Sequence, residues 1–167
     1  MSSAISPPEH LNSEHDVSGF DCGVPELDDW LKRRARQNED SGASRTFVIT
    51  ARGRVVGYYA LATGAVSRVK ATGRLRRNMP EPIPVMVLAR LAVDHEHQGT
   101  GLGAALLKDA LLRTLQASEI AGIRAVLLHA ISESSKRFYL HYGFAESPID
   151  PMTMMIALEE LERALRG

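Results

Sequence analysis

Two groups of residues in this chain have types and spacings that chemistry could use. The first is Gln98-Gly99-Thr100-Gly101-Leu102-Gly103-Ala104. Glycines remove side chains, so successive backbone N–H groups can turn toward one anion, and a helix N-terminus directly after them adds its positive dipole end. Phosphate is the ligand such a loop suits. A dinucleotide fingerprint fails for want of a correctly spaced third glycine, and a nucleoside-triphosphate loop fails because no Gly-Lys-Ser/Thr comes next. The second group is Phe138-Tyr139 with Tyr142-Gly143-Phe144 just after it. It places a phenol, a proton donor with an ordinary pKa near 10, just ahead of a glycine turn.

Both groups need elements to hold them. The run Val85 to Val93 is almost wholly apolar, as a buried strand is, and it feeds the glycine loop. The run after the loop carries Ala105, Leu106, Ala110, Leu112 and Leu115, which predicts a helix over 103–117, with Gly122 as its stop. Strand 124–130, helix 133–142 and a last strand 152–158 come next, then a short charged tail. Before them, residues 1–12 read as extended and polar. Pro25 opens a helix whose stripe Leu27, Trp30, Leu31, Ala35 runs through Asn38. Runs 45–50 and 54–63 read as a hairpin turning at Ala51-Arg52-Gly53, and a short helix is predicted around 72–78. The fold class is α/β with a mixed sheet, and 167 residues without a linker or repeat predict a single domain, 1–167.

Taken together, the two motifs resemble the GCN5-related N-acetyltransferase (GNAT) family. The pattern Gln/Arg-x-x-Gly-x-Gly/Ala appears as Gln98, Gly101 and Gly103. Phe-Tyr-x-x-x-Gly-Phe appears as Phe138, Tyr139, Gly143 and Phe144, about forty residues later. The resemblance covers residues 45–158. It implies a fold with two splayed central strands, here 85–93 and 124–130, and acetyl-CoA as co-substrate. Gln98, Gly99, Thr100, Gly101, Leu102, Gly103 and Ala104 would hold the pyrophosphate, while Leu91, Ala92 and Val93 would pair with the pantetheine amides and serve the acetyl carbonyl. Ser132 and Phe138 would flank the cofactor, and Tyr139 would protonate the leaving thiolate. Many relatives carry Asp at the place of Ser132 and Ala at the place of Ser135.

A narrower resemblance lies in the N-terminal stretch. Phe20-Asp21-Cys22-Gly23, then Leu27-Asp28-x-Trp30-Leu31 and Ala35-x-Gln37-Asn38, are similar to the acetyltransferase toxins of bacterial toxin–antitoxin pairs. So are Leu88-Ala89-Arg90-Leu91-Ala92-Val93 and His129-Ala130-Ile131. That similarity implies a substrate, the α-amino group of aminoacyl-tRNA, and a partner, a ribbon-helix-helix antitoxin. Toxins of this kind are often homodimers, an assembly nothing in this sequence fixes.

The charge distribution and the chemistry agree with a nucleic-acid substrate. Net charge is zero, yet residues 32–90 hold thirteen Lys and Arg against three acids. Lys32, Arg33, Arg36, Arg76, Arg77 and Arg90 are the expected phosphate contacts, with Arg74 beside them. Arg90, on a central strand, is equally consistent with an internal partner. No general base stands out; His95, Glu96 and His97 read as surface groups. An α-amine has a pKa near 8, against about 10.4 for lysine, so an α-amine suits a site without a base better. The alternatives are an acetyltransferase acting on a small amine or a protein N-terminus, and a non-enzymatic acetyl-CoA-binding regulator, which the intact glycines and Tyr139 argue against. The histidines are scattered, so no metal is expected. No apolar run spans a membrane, no basic-then-apolar leader begins the chain, and a single cysteine fits a reducing cytoplasm.

Overall fold

The computed structural model describes residues 4–77 and 79–166, with the backbone alone for Arg74 and Arg166. Seven strands form one mixed sheet, ordered β1-β2-β3-β4-β5-β7-β6. They are β1 (Glu9–His10), β2 (Arg45–Ala51), β3 (Arg54–Val66), β4 (Ile83–Val93), β5 (Ala125–His129), β6 (Ala145–Glu146) and β7 (Thr153–Ala157). The helices are α1 (Pro25–Arg33), α2 (Ala35–Ser41), α3 (Gly73–Arg76), α4 (Leu102–Ser118), α5 (Glu133–His141) and α6 (Leu158–Arg166). Contacts gather the chain into two compact units, Met1–Ala62 with Ala89–Ala110, and Thr63–Leu88 with Leu111–Gly167.

In the first unit, β2 and β3 form the expected hairpin. Arg52 and Gly53 both have positive φ, 54° and 80°, the backbone of a tight turn that matches strand twist. β1 pairs on the outer side of β2, Glu9 with Val48 and His10 with Phe47. The single helix expected from Pro25 to Asn38 is two helices. Arg34 leaves helical geometry at φ −121°, ψ −27°, while its N–H still bonds the Trp30 carbonyl at 2.8 Å. The apolar stripe therefore continues across the break, and Trp30, Leu31 and Ala35 are all buried. Pro25 at the start, Glu26 and Asp28 in the first turn, and Lys32 and Arg33 in the last turn suit the helix dipole of α1. The core of this unit centres on Tyr58, with Phe20 edge-on at 5.5 Å and Trp30 stacked at 5.9 Å.

In the second unit, β4 and β5 run parallel and pair only at Val85–Ala125, Met86–Val126 and Val87–Leu127. Leu128 and His129 pair with Met154 and Thr153 of β7. This short ladder is the splay that the fold class requires. Val66, Leu75, Ile83, Val85, Leu127 and Met155 form the core of the unit. Gly122 is not a helix stop: α4 ends at Ser118, and the amides of Ile120 and Ala121 fold back onto the Ala117 carbonyl. Leu112 is 39% exposed, because the buried stripe of α4 is Leu106, Leu107, Ala110 and Leu111. The charged tail forms α6, entered directly from β7. Among the described residues, no helix is long and apolar enough to cross a membrane.

Leu75 is fully buried on a helix of only four residues. Leu75→Ala is expected to cost about 2–5 kcal/mol, read as a lower urea midpoint, because so short a helix is held by its packing and not by its own hydrogen bonds.

Candidate active site

The glycine loop lies in the first unit. Gly99 and Gly101 take φ of +78° and +89°, conformations in which a Cβ is strained. The Thr100 hydroxyl donates to the His97 carbonyl at 2.5 Å and tightens the turn. Helix α4 makes its first internal bond from Ala105 N–H to the Gly101 carbonyl at 3.1 Å. Among the described residues, no acceptor meets the amides of Leu102, Gly103 and Ala104, the orphan donors of a helix start. The loop thus presents a row of N–H groups at a positive dipole end, the arrangement an anion needs.

The Gln98 side chain serves the loop from behind. Its Nε2 donates to the carbonyls of Cys22 and Val93, both at 2.9 Å. Asp94, 3% exposed, receives the amides of Asp21 at 3.1 Å and Glu96 at 3.1 Å, and so caps the 3-10 turn His95–His97. The His95 amide and ring Nδ1 both reach the Asp21 carbonyl, at 2.8 and 2.9 Å. That bond, and then the neighbouring acids, raise the His95 pKa above its ordinary value. The segment Asp21–Gly23 is therefore a strut under the loop. Buried Asp28 fixes it by accepting the Cys22 amide at 2.9 Å. The sequence marks Asp28 only within a resemblance and leaves Asp94 unmarked. An acid directly after a buried strand is the signal that could have found Asp94. Of the three strand residues, Ala92 is buried, Leu91 and Val93 are half-buried, and the Val93 carbonyl already holds Gln98.

Tyr139 lies in the second unit, on α5. Ser132 begins that helix as one half of a capping box. Its Oγ accepts the Ser135 amide at 3.0 Å, and the Ser135 Oγ accepts the Ser132 amide at 3.1 Å. The predicted cofactor contact Ser132 thus has a structural task that Asp could also perform. The Tyr139 ring is 8% exposed and sits between Phe138, at 5.1 Å, and Phe144, at 5.6 Å. Half-buried Phe138 also meets Tyr142. The Tyr139 carbonyl takes the amides of Tyr142 and Phe144, so the turn at Gly143 (φ +96°) fixes the ring's own backbone. Buried phenols normally find a partner. Tyr58 donates to the Leu27 carbonyl at 2.7 Å and Tyr59 to Asp109 at 2.5 Å. Among the described residues the Tyr139 hydroxyl has none, and its oxygen, unlike the ring, is not fully buried.

The six predicted phosphate contacts divide. Lys32, Arg33, Arg76 and Arg77 are exposed. Arg36 is not free: its Nη2 donates to the carbonyls of Asn12 at 3.2 Å and His15 at 2.5 Å. Arg90 lies over the Trp30 ring at 4.3 Å, a cation–π contact, and burial lowers its pKa. A cavity of about 550 Å³ is lined by Arg77, Arg124 and Arg163 against Glu159 and Glu160. Its charges largely offset one another. It borders Arg124 and Ala157, at the opposite end of β5 from the turn into α5. Among the described residues, no three His, Cys, Asp or Glu side chains group as metal ligands.

Burial pushes the Tyr139 phenol up to about 12 from 10. It therefore stays protonated throughout the neutral range. The folded state holds this proton more tightly than the unfolded chain, so stability is expected to fall as pH rises above 10, where the unfolded phenol ionises first. Tyr139→Phe removes that contribution. Urea unfolding at about pH 8 and about pH 11 is expected to show a shallower alkaline loss in the variant than in the wild type.

Comparison with known proteins identifies the family and the fold. Residues 42–146 match the acetyltransferase (GNAT) domain. Over 165 residues the chain is 48% identical to a protein of Mycobacterium tuberculosis named tRNA-acetylating toxin, covering 99% of both chains. A crystal structure of a tyrosine-to-phenylalanine mutant of KacT superposes with a TM-score of 0.90 at 25% identity, over 96% of this chain and 98% of that one. The crystal structure of AtaTR bound with acetyl-CoA gives a TM-score of 0.83 at 25% identity, over 96% and 98% of the two chains. The chain belongs to the GNAT acetyltransferase family.

Proposed function

We propose that this chain is a toxin that transfers the acetyl group of acetyl-CoA to the α-amino group of aminoacyl-tRNA. It acts as one domain, residues 1–167, in the cytoplasm, and a ribbon-helix-helix antitoxin neutralises it. The observation that carries the chemistry is the buried Tyr139 ring with an unpartnered hydroxyl. The substrate is supported by the identity with the tRNA-acetylating toxin, maintained across 99% of both chains, and by exposed Lys32, Arg33, Arg76 and Arg77. The antitoxin rests on the resemblance of the N-terminal stretch to toxins of such pairs.

The residues present fit the co-substrate. Positive φ at Gly99 and Gly101 and the spare amides of Leu102, Gly103 and Ala104 suit its pyrophosphate. Bound acetyl-CoA supplies an acyl thioester whose carbonyl carbon is open to an amine. The backbone of Leu91–Val93 aligns the pantetheine as an added strand and donates to the carbonyl oxygen as it gains charge. Gln98 and Asp94 hold the loop and its preceding turn in place through the Asp21–Gly23 strut. By the family resemblance, Tyr139 is the residue that serves the sulfur. With a pKa near 12 the phenol is a weaker acid than a thiol, near 8.5, so full transfer to sulfur is uphill on its own. Its first service is a hydrogen bond that stabilises the leaving sulfur as the C–S bond breaks, with transfer completed as the amine gives up its proton.

Two outcomes test this reading. Incubation of the wild type with labelled acetyl-CoA and bulk aminoacylated tRNA is expected to place label on the aminoacyl group. Label appearing only on small amines or protein N-termini would remove tRNA as the substrate. Separately, Gly101→Ala is expected to weaken acetyl-CoA binding roughly tenfold by calorimetry, since a Cβ at φ +89° strains the loop by about 1–2 kcal/mol.

A further inference from the structure

A three-residue relay closes the carboxyl end of β5. His129 Nδ1 and Thr153 Oγ1 are 2.8 Å apart. The Thr153 hydroxyl donates to Asp150 Oδ2 at 2.7 Å, so its oxygen is left to accept. The imidazole must then carry its proton on Nδ1, which leaves the lone pair on Nε2. Asp150 is itself fixed, because its Oδ1 receives the Met152 amide at 3.2 Å. These bonds hold Asp150 below the usual carboxylate range, with the Thr153 hydroxyl the largest cause. His129 is exposed, and among the described residues its Nε2 has no hydrogen-bond partner.

The sheet places this nitrogen usefully. His129 pairs with Thr153, and Leu127 with Met155. Strand alternation puts His129 on the same face as Leu127, the face packed on Leu75 of α3. The turn that follows α5 meets the other face, where a Cβ on Gly143 would stand 3.5 Å from the Ile156 side chain. His129 thus stands at the carboxyl end of β5, the end from which the chain turns into α5 and Tyr139. Ligands of α/β sheets bind at the carboxyl ends of strands.

We propose that His129 is the general base of the acetyl transfer, with Thr153 and Asp150 as the residues that position it. The proposal rests on the aminoacyl-tRNA reading above. As the amine nitrogen forms its bond to the carbonyl carbon, it acquires a positive charge and must lose a proton. That proton passes to His129 Nε2. The C–S bond then breaks, and the sulfur takes a proton from Tyr139, which recovers it from solvent while the imidazolium releases its own. One N–C bond forms, one C–S bond breaks, and the proton lost by nitrogen balances the one gained by sulfur. An α-amine is partly neutral at pH 7, but the nitrogen that has attacked is not, so the base acts after attack as well as before it.

The test uses the full chain, acetyl-CoA and aminoacylated tRNA at saturation. His129→Asn keeps a donor for Thr153 but has no basic nitrogen, and its kcat is expected to fall roughly 100-fold, the lower end for a general base. Calorimetric affinity for acetyl-CoA should not change. Imidazole in solution should restore activity to His129→Ala. Thr153→Val should lose part of kcat, and Thr153→Ser should retain it. A His129→Asn enzyme within about twofold of wild type overturns the proposal, as does a His129→Ala enzyme that binds acetyl-CoA but gains nothing from imidazole. Nitrogen NMR of His129 gives a readout independent of the acceptor. The Nδ1–H tautomer in wild type, lost in Thr153→Val, is expected; an Nε2–H tautomer overturns the relay. A wild type that leaves aminoacyl-tRNA unlabelled removes the substrate reading, and the tautomer still decides whether the relay exists.

Discussion

The parallel ladder between β4 and β5 covers three residue pairs and ends at Val87 and Leu127. A strand that loses one neighbour leaves a row of N–H and C=O groups that need other partners. Leu128 and His129 find theirs on β7 alone. The same termination shapes the chain beyond β5. The carboxyl end of that strand turns through Ala130, Ile131 and the capping serine Ser132 into the helix that carries Tyr139. A longer ladder would satisfy the backbone and leave no edge for an added strand. The short one leaves β4 without a β5 partner beyond Val87.

A loop that must offer bare N–H groups cannot stabilise itself with side chains, so its support comes from neighbours. Here the neighbour is a segment more than seventy residues earlier in the chain: Asp21 and Cys22 meet Asp94, His95 and Gln98. Buried Asp28 holds that segment from the far side. The N-terminal region before the hairpin is thus part of the machinery of the glycine loop. This accounts physically for why Phe20-Asp21-Cys22-Gly23 and the loop form one pattern.

Much of this was legible in the sequence, because some signals are local. Glycines with a strand before and a helix after specify a loop. Arg52-Gly53 between two β-rich runs specifies a hairpin. Phe138-Tyr139 ahead of Gly143 specifies an aromatic helix end. The features that were not legible depend on partners far apart in the chain. The helix break at Arg34 keeps the apolar stripe intact, so periodicity could not reveal it. A count of basic residues included Arg36 and Arg90 because it could not see the carbonyls of Asn12 and His15 or the ring of Trp30. The His129–Thr153 contact was missed for the same reason. His129 looks solitary along the chain and meets Thr153 only through the β5–β7 register. Gly122 misled because a glycine after a helix resembles a stop, whereas the chain closes on Ala117 before reaching it.

The central claim is that a buried phenol, rather than a metal or a covalent enzyme intermediate, serves the leaving sulfur. Single-turnover acetyl transfer by wild type and Tyr139→Phe, with acetyl-CoA affinity measured on both, tests it most directly. A rate lower by roughly 10²–10³-fold in the variant, with affinity nearly unchanged, is expected because the hydroxyl acts only as the C–S bond breaks. Equal rates, or a loss explained wholly by weaker acetyl-CoA binding, would contradict it.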